Sequence, residues 1–316
     1  MSEPLLLLID GHALIYRAYH AFPELSTREG VLVNAVYGFT RIILKALRDF
    51  EPRYIAVAFD HPKPTFRHEA FANYKAHRAE MPDDLKPQIQ LVKDVVQALN
   101  IPIFEVPGYE ADDIIGTLCA QIKALRVRYP EVKGLVVTGD RDAFQLVDDD
   151  VIHVWLPGRN KTQSDMEYNP AAVTAKMGVA PDQIVDLKAL MGDASDNIPG
   201  VPGIGEKTAV KLLQAFGSLS GVYEEVAKST PEHPSHPVLT KSILNKLQTG
   251  KDSAYLSQSL AKINQDAPIT LDLEACQVTS YDKAQAAELL KSLQFESLIP
   301  LLPNDAFELG VQAALF

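Results

Sequence analysis

The chain has 316 residues, 47% of them hydrophobic and 22% charged, with a formal net charge of −11. That is ordinary globular composition, enough for one large domain or two average ones. Two cysteines, Cys119 and Cys276, are too few for a disulfide framework or a cysteine-type zinc site. No apolar run reaches the length of a membrane span, and the charge-flanked LLLLI run is too short for a signal peptide, so a cytoplasmic protein is expected.

In chain order, PLLLLID (4–10) reads as a buried strand ending on Asp10. HALIYRAYHAF (12–22) has helical spacing, and 34–50 reads as a longer amphipathic helix stopped by Pro52. A second strand, 54–60, ends on Asp60. The insertion 61–82 follows, aromatic and basic, too long between core elements to be a plain connection. A helix over 83–100, a strand over 101–106 and a helix from Glu110 come next. The run GLVVTGD gives a strand 134–140 ending on Asp140, then a short helix around AFQLV and a strand 151–157. Strands alternating with helices predict an α/β fold with a mostly parallel central sheet, helices on both faces. Near residue 170 the pattern turns helical. Helices are expected over 170–178, 181–192, 206–217, 238–248, 252–263 and 282–294, with a turn-rich loop at 193–205 and a solvated linker at 229–237. The expected units are therefore an α/β domain over 1–175 with the 61–82 insertion, a helical domain over 176–300, and a tail over 301–316.

Four strands each run into carboxylates at their C-terminal ends: Asp10, Asp60, the group Glu110, Asp112 and Asp113, and the pair Asp140 and Asp142. Ligands of open parallel sheets bind outside those ends. One strand-end Asp is explained by an Asx-turn or a helix cap; four in register are not. Asp193 and Asp196, in the later loop, are candidates to join them if that loop folds back. Setting these nine acids aside takes the net charge from −11 to −2, so the acidic total leaves a nucleic-acid partner open. Oxygen ligands without His or Cys select hard cations such as Mg²⁺ or Mn²⁺. This many carboxylates suits two ions that clamp the oxygens of a phosphoryl displacement. Glu110 and Asp113, three apart, are expected on one helix face, with Asp112 pointing elsewhere.

The run IPGVPGIGEKTAVKLL (198–213) is not a P-loop, because Glu206 separates Gly205 from Lys207 and no strand precedes the glycines. It reads as a helix–hairpin–helix, with Ala209 packed under the turn. Gly203 and Gly205 would let the backbone approach a phosphate, with Lys207, Thr208 and Lys211 nearby; Arg17, in the first helix, is a further candidate DNA contact. In the insertion, Lys63, Arg67, Lys75 and Arg78 alternate with Phe66, Phe71 and Tyr74, which suits phosphates and unpaired bases or, equally, a solvated helix pair. Tyr16 is either a core aromatic or a base-stacking platform.

The runs LLIDGHALIYRAYHAF, AFDHPKPTFRHEAFANYKAHR, VPGYEADDIIGTL, VVTGDRDAFQLV and LMGDASDNIPGVPGIGEKTA, in that order over roughly residues 4–300, resemble the 5′-nuclease domain of bacterial DNA polymerase I, within the flap endonuclease family. The resemblance implies a PIN-like α/β domain, a helical arch at 61–82 and a C-terminal helical domain carrying the hairpin. It implies Mg²⁺-dependent hydrolysis near 5′ ends and at 5′ flaps, by a monomer acting on branched, flapped or nicked DNA in replication and repair. By this match Asp10, Asp60, Glu110, Asp112, Asp113, Asp140, Asp142, Asp193 and Asp196 hold metal, and Arg67, Lys75 and Arg78 lie over the scissile phosphate. Tyr16 stacks on the unpaired base, and hairpin carbonyls hold a K⁺. The alternative is a catalytically silent junction-binding protein, which would be expected to have lost several of these acids. A ribonuclease of the related acid-cluster type would leave the hairpin unexplained. With no polymerase region in the sequence, the chain is expected to be either a stand-alone nuclease or a fragment of something longer; the ending Gln312-Ala313-Ala314-Leu315-Phe316 resembles peptides that dock into the replication sliding clamp, which hints at the former.

Overall fold

The computed structural model describes residues 4–148, 151–158, 164–230 and 232–315, and of 312–315 the backbone alone. The elements are β1 (Leu5–Asp10), α1 (Gly11–Ala21), α2 (Asn34–Phe50), β2 (Tyr54–Ala58), α3 (Phe66–Ala70), α4 (Lys86–Ala98), β3 (Ile103–Phe104), α5 (Ala111–Leu125), β4 (Lys133–Val137), β5 (Ile152–Leu156), β6 (Met166–Tyr168) and α6 (Pro170–Met177). A helical run follows: α7 (Ile184–Met191), α8 (Glu206–Phe216), α9 (Leu219–Lys228), α10 (Lys241–Thr249), α11 (Lys251–Ala261), α12 (Lys283–Ser292) and α13 (Ala306–Leu315).

The described strands form one sheet in the order β3-β2-β1-β4-β5-β6, parallel except for β6 against β5. The chain moves outward from β1 to β3 on one side, then restarts at β4 on the other. The switch point therefore lies between β1 and β4, where such sheets open a crevice at their carboxyl ends. Pleating sends alternate side chains to opposite faces. Leu6 and Leu8 pack with α5 and with Leu187 and Leu212 of the helical run, whereas Leu7 and Ile9 pack with α1, α2 and α4. Covered on both faces, the strands are continuously apolar rather than alternating. Cys119 and Cys276 are buried free thiols, and no described helix is long and apolar enough to cross a membrane.

Some elements differ from the sequence reading. β6 is a three-residue antiparallel edge strand that periodicity does not single out, and neither is α9. The insertion 61–82 is not a helix pair. It holds only the five-residue α3, and then turns back onto the molecule. Tyr74 is 3% exposed there and packs with Ile198, Leu260 and Ala261. The expected helical domain over 176–300 also loses its last part to the α/β body. Ile55 donates its N–H to Cys276 O at 2.8 Å, and Tyr281, Leu290 and Phe295 share a core with α2 and α4. The tail forms α13, and the side chains of the expected clamp peptide, Gln312, Leu315 and Phe316, lie outside the described residues.

Candidate active site

Asp10 is the last residue of β1 and the N-cap of α1. Its carboxylate accepts from Ala13 N at 3.1 Å and from Thr138 Oγ1 at 2.6 Å. Thr138, one residue past β4, also accepts from Asp140 N at 3.0 Å, so a single hydroxyl couples the two strand ends flanking the switch point. Asp140 Oδ1 in turn accepts from Asp142 N at 3.0 Å. Beyond β2, Asp60 Oδ1 accepts from Ala111 N at 2.8 Å, which ties that strand end to the start of α5. Asp60 N donates to His12 Nδ1 at 3.0 Å. His12 is held neutral by burial, which lowers its pKa.

The loop after α7 does fold back. Asp193 and Ile198 exchange backbone hydrogen bonds of 2.9 and 2.8 Å, closing the loop between them. Lys188, on α7 and buried, bridges Asp142 and Asp193, at 2.6 Å from Asp193 Oδ2. Asp196 meets the insertion. Tyr74 donates its hydroxyl toward Glu110 Oε2 at 3.1 Å and Asp196 Oδ2 at 3.2 Å. Lys75 Nζ stands 2.9 Å from Glu110 and 3.7 Å from Asp196, and Arg78 pairs with Asp196. The acids thus reach one region from separate segments, and the chain's own cations hold several of them. Among the described residues, no three His, Cys, Asp or Glu side chains are already gathered into a cation shell.

The electrostatics separate the acids. Burial lifts the Asp10 carboxyl to about 7, with Asp60 and Asp140 pushing the same way. Asp142 is likewise lifted to about 7 by burial and Asp140, although Lys188 opposes the shift. Asp112 is raised well above the usual range by burial and by Asp10, Asp140 and Asp142. Asp193 shows the opposite outcome. Burial pushes it up, but Lys188 and the Ser195 donors win and hold it at about 2. Asp10, Asp112, Asp140 and Asp142 therefore form an under-compensated group, repelling one another where one is buried and three are half-buried.

Three expectations need correction. Asp112, expected to point elsewhere, faces Asp10, Asp140 and Asp142. Asp113, expected as a metal ligand beside Glu110, is fully buried and committed to protein. Its oxygens accept from Arg67 Nη2 at 2.7 Å, Arg67 Nη1 at 2.8 Å, Asn264 N at 2.8 Å and Glu110 N at 3.1 Å. The reason is the capping box. Glu110 is the N-cap, in extended conformation (φ −88°, ψ 161°), so same-face spacing does not apply to it, and Asp113 at N3 folds back to its N–H. Arg67, expected over a phosphate, is 3% exposed and also donates to Leu260 O at 2.9 Å and Lys262 O at 2.8 Å. It is a staple between α3, α5 and the end of α11, with no donor left for DNA.

The open cleft beside the acids has a volume of about 870 Å³ and is lined by Tyr16, Arg17, Asp140, Asp142, Lys188 and Asp193, among others. Tyr16 is half-buried there. In the hairpin, Gly203 takes φ +83°, and Gly205 caps α8 with open space where a side chain would stand. Ala209 is fully buried under the turn, while Lys207 and Lys211 are exposed. Lys246 of α10 donates to Gly203 O at 3.0 Å. Backbone continuity through Ile198 joins this hairpin to the acid cluster.

The sequence matches two family models in tandem: the 5′-3′ exonuclease N-terminal resolvase-like domain over residues 5–178, and the 5′-3′ exonuclease C-terminal SAM fold over 179–284. The chain belongs to the 5′-3′ exonuclease family. It is 43% identical to DNA polymerase I of Bacillus caldotenax over 304 residues, and 41% identical to that of Bacillus subtilis (strain 168). Each alignment covers 96% of this chain and 33% of the relative, so the chain spans about a third of the length of these relatives. The fold is shared with bacteriophage T5 flap endonuclease, solved with DNA and metal ions (TM-score 0.63, 20% identity, 94% of this chain and 98% of that one). It is also shared with the catalytic core of Rad2 in complex with DNA substrate (TM-score 0.58, 17% identity, 95% and 92%). Within this exonuclease-family chain, sequence reasoning missed Lys188, Thr138 and His12 at the site, and named Tyr74 only among the insertion's aromatics. Lys188 carried a signal: it is a lysine in the otherwise apolar stretch LKALM, five residues before Asp193.

Proposed function

We propose that this chain is a structure-specific 5′ nuclease, hydrolysing DNA phosphodiesters at 5′ ends and 5′ flaps in primer and flap removal. The carrying observation is the group of buried Asp10 and half-buried Asp112, Asp140 and Asp142 at the sheet's switch point, with more negative charge than Lys188 offsets. An oxygen-only donor set of this charge fits hard dications, so Mg²⁺ or Mn²⁺ would be held by these four, with Asp60, Glu110, Asp193 and Asp196 around them. Two bound ions supply an activated water and stabilise charge on the leaving oxygen. The protein's own groups do the rest. Lys75 and Arg78, paired here with Glu110 and Asp196, are the cations that would turn to the phosphate if those acids held metal. Lys188 keeps Asp142 and Asp193 in place. Tyr16 offers a ring to the unpaired base, and Arg17 lies beside it. The hairpin residues Gly203, Gly205, Lys207, Thr208 and Lys211 grip duplex backbone without reading sequence. A K⁺ at the hairpin would share its carbonyls with Lys246, which already holds Gly203 O.

The test is cleavage of a 5′-flap DNA, with blunt-duplex and 3′-flap controls, in Mg²⁺, in EDTA, and with Asp140→Ala. The expected result is cutting near the 5′ junction in Mg²⁺ only, reduced by at least about 100-fold in the variant, the scale of losing a central electrostatic stabiliser. Tight flap binding with no cutting in any divalent cation would mark a silent junction binder. Gln312, Leu315 and Phe316 are proposed as a sliding-clamp peptide, and clamp affinity unchanged by deleting 312–316 would overturn that part.

A further inference from the structure

The carboxyl edge of the sheet does not stop at the acids. Past β4 it continues over the ends of β5 and β6, and there the chemistry changes sign. A cavity of about 330 Å³ opens between the turn after β4, the end of β5, β6 and the last turn of α6. Its lining includes Arg17, Arg141 and Lys176, with Ser164 and Tyr168, and, among the described residues, no carboxylate. The acids of the neighbouring hairpin already have partners: Asp165 accepts from Gly158 N of the cavity wall at 2.7 Å and pairs with Lys45 at 2.6 Å, and Glu167 pairs with His153 at 2.6 Å. Arg141 and Lys176 are exposed, and neither pairs with a carboxylate among the described residues. Arg17 is held in the wall by donating to Pro157 O. In a chain of net charge −11, an acid-free cavity with three cations is not a solvated average.

The cavity is also continuous with the cleft. Arg17, Gly139 and Arg141 line both. Gly139 forms the sill between them, and a Cβ there would stand 3.7 Å from the Arg17 guanidinium. A polyanion lying on the acids by way of bound cations would next cross this sill and meet fixed positive charge.

We propose that this cavity takes a backbone phosphate of the substrate strand, next to the phosphodiester cut in the cleft, with Arg141 and Lys176 as its cations and Arg17 as its positioned wall. This rests on the nuclease reading above, and it adds a register: a phosphate seated past β4 fixes which neighbouring linkage lies over Asp10 and Asp140. Arg141, between Asp140 and Asp142, would touch both sites. Lys176 belongs to the cavity alone and is the residue to change.

The experiment measures equilibrium binding, at constant Mg²⁺ over a salt series, of a 5′-flap DNA made uncleavable by a methylphosphonate at the scissile linkage, for wild type, Lys176→Ala and Lys176→Glu. Losing one phosphate contact lowers the slope of log affinity against log salt by about 0.9 and weakens binding at each concentration, more for Glu than for Ala. Flap substrates carrying a second neutral methylphosphonate at successive positions then locate the contact: the Lys176→Ala defect should vanish at one position and persist at the rest. A slope and affinity equal to wild type, or a defect that persists at every position, overturns the cavity assignment while the nuclease reading stands on wild-type cutting. A wild type that neither binds nor cuts the flap overturns both. Lys176 is exposed, so loss of folding does not confuse the result.

Discussion

Replacing Arg67 by Met leaves the Asp113 carboxylate in a dry interior with only backbone donors. Breaking a buried, fully hydrogen-bonded pair from one side costs about 3–5 kcal/mol, and urea unfolding should show a loss of that size. Adding Asp113→Asn to Arg67→Met should recover part of it, because the stranded charge is gone; a single-variant loss below about 1 kcal/mol would instead give Arg67 the value of a surface pair. The raised acids make a second prediction at this scale. Asp10 and Asp142 hold protons up to about 7 in the folded, metal-free chain but release them near 3.8 when unfolded. The native state then binds more protons between those values, so metal-free stability falls as pH rises from about 4 to 7. Mg²⁺ should remove the fall, and its stabilising effect should grow with pH over the same window. Thermal melts with EDTA and with Mg²⁺ read both; a metal-free melting temperature that rises steadily from pH 4 to 7 would contradict the assignment. What the sequence showed of these residues follows from what a sequence carries. Strand-end acids are visible because an apolar run ends on them. The exchange of roles between Asp112 and Asp113 was hidden because helix-face spacing fails at an extended N-cap. The depth of Arg67 was hidden because charge along a chain says nothing about burial.

At the scale of elements, Arg67 staples the first part of the insertion, and a separate set of contacts docks its second part, 73–78. Tyr74 is its buried anchor, and Lys75 sits in the left-handed region at φ +54°, with its N–H on Asp196 O at 3.0 Å. A lysine pays for that backbone conformation, so the docked form depends on its neighbours. Tyr74→Phe keeps the ring and removes the hydroxyl bonds to Glu110 and Asp196. That is about 1 kcal/mol of net hydrogen bonding, and native-state amide exchange over 73–78 should quicken by about fivefold, the rate ratio of that energy. Exchange no faster than wild type would assign the docking to Lys75 and Arg78 instead. The aromatic–basic alternation of 61–82 was legible as special, but its conformation was not. Whether such a segment stands free or lies down depends on Ile198, Leu260 and Ala261, more than a hundred residues away.

At the scale of the molecule, the sheet, its parallel sense and the helical second half were legible because both-face burial writes continuous apolar strands and helical spacing. The return of the last helices was not. Spacing shows that α12 has an apolar face, and says nothing of the distant α2 and α4 on which it rests. Leu290, 2% exposed at that seam, makes a measurable case. Leu290→Ala should cost about 2–5 kcal/mol. Trp155, the single tryptophan, lies in the same core, so its emission should report unfolding at lower urea. A shift confined to probes in α8–α11 would place α12 with the helical run instead.

The same seam orders events on the ribosome. Residues 34–98 emerge early, yet the apolar faces of α2 and α4 are closed by residues 281–302. Until those residues leave the exit tunnel, α2 and α4 carry an uncovered apolar side, the state in which half-made domains stick to one another or to chaperones. A translation pause inside 250–280 would prolong that exposure, whereas the same pause once residue 302 has cleared the tunnel would find the core already shut.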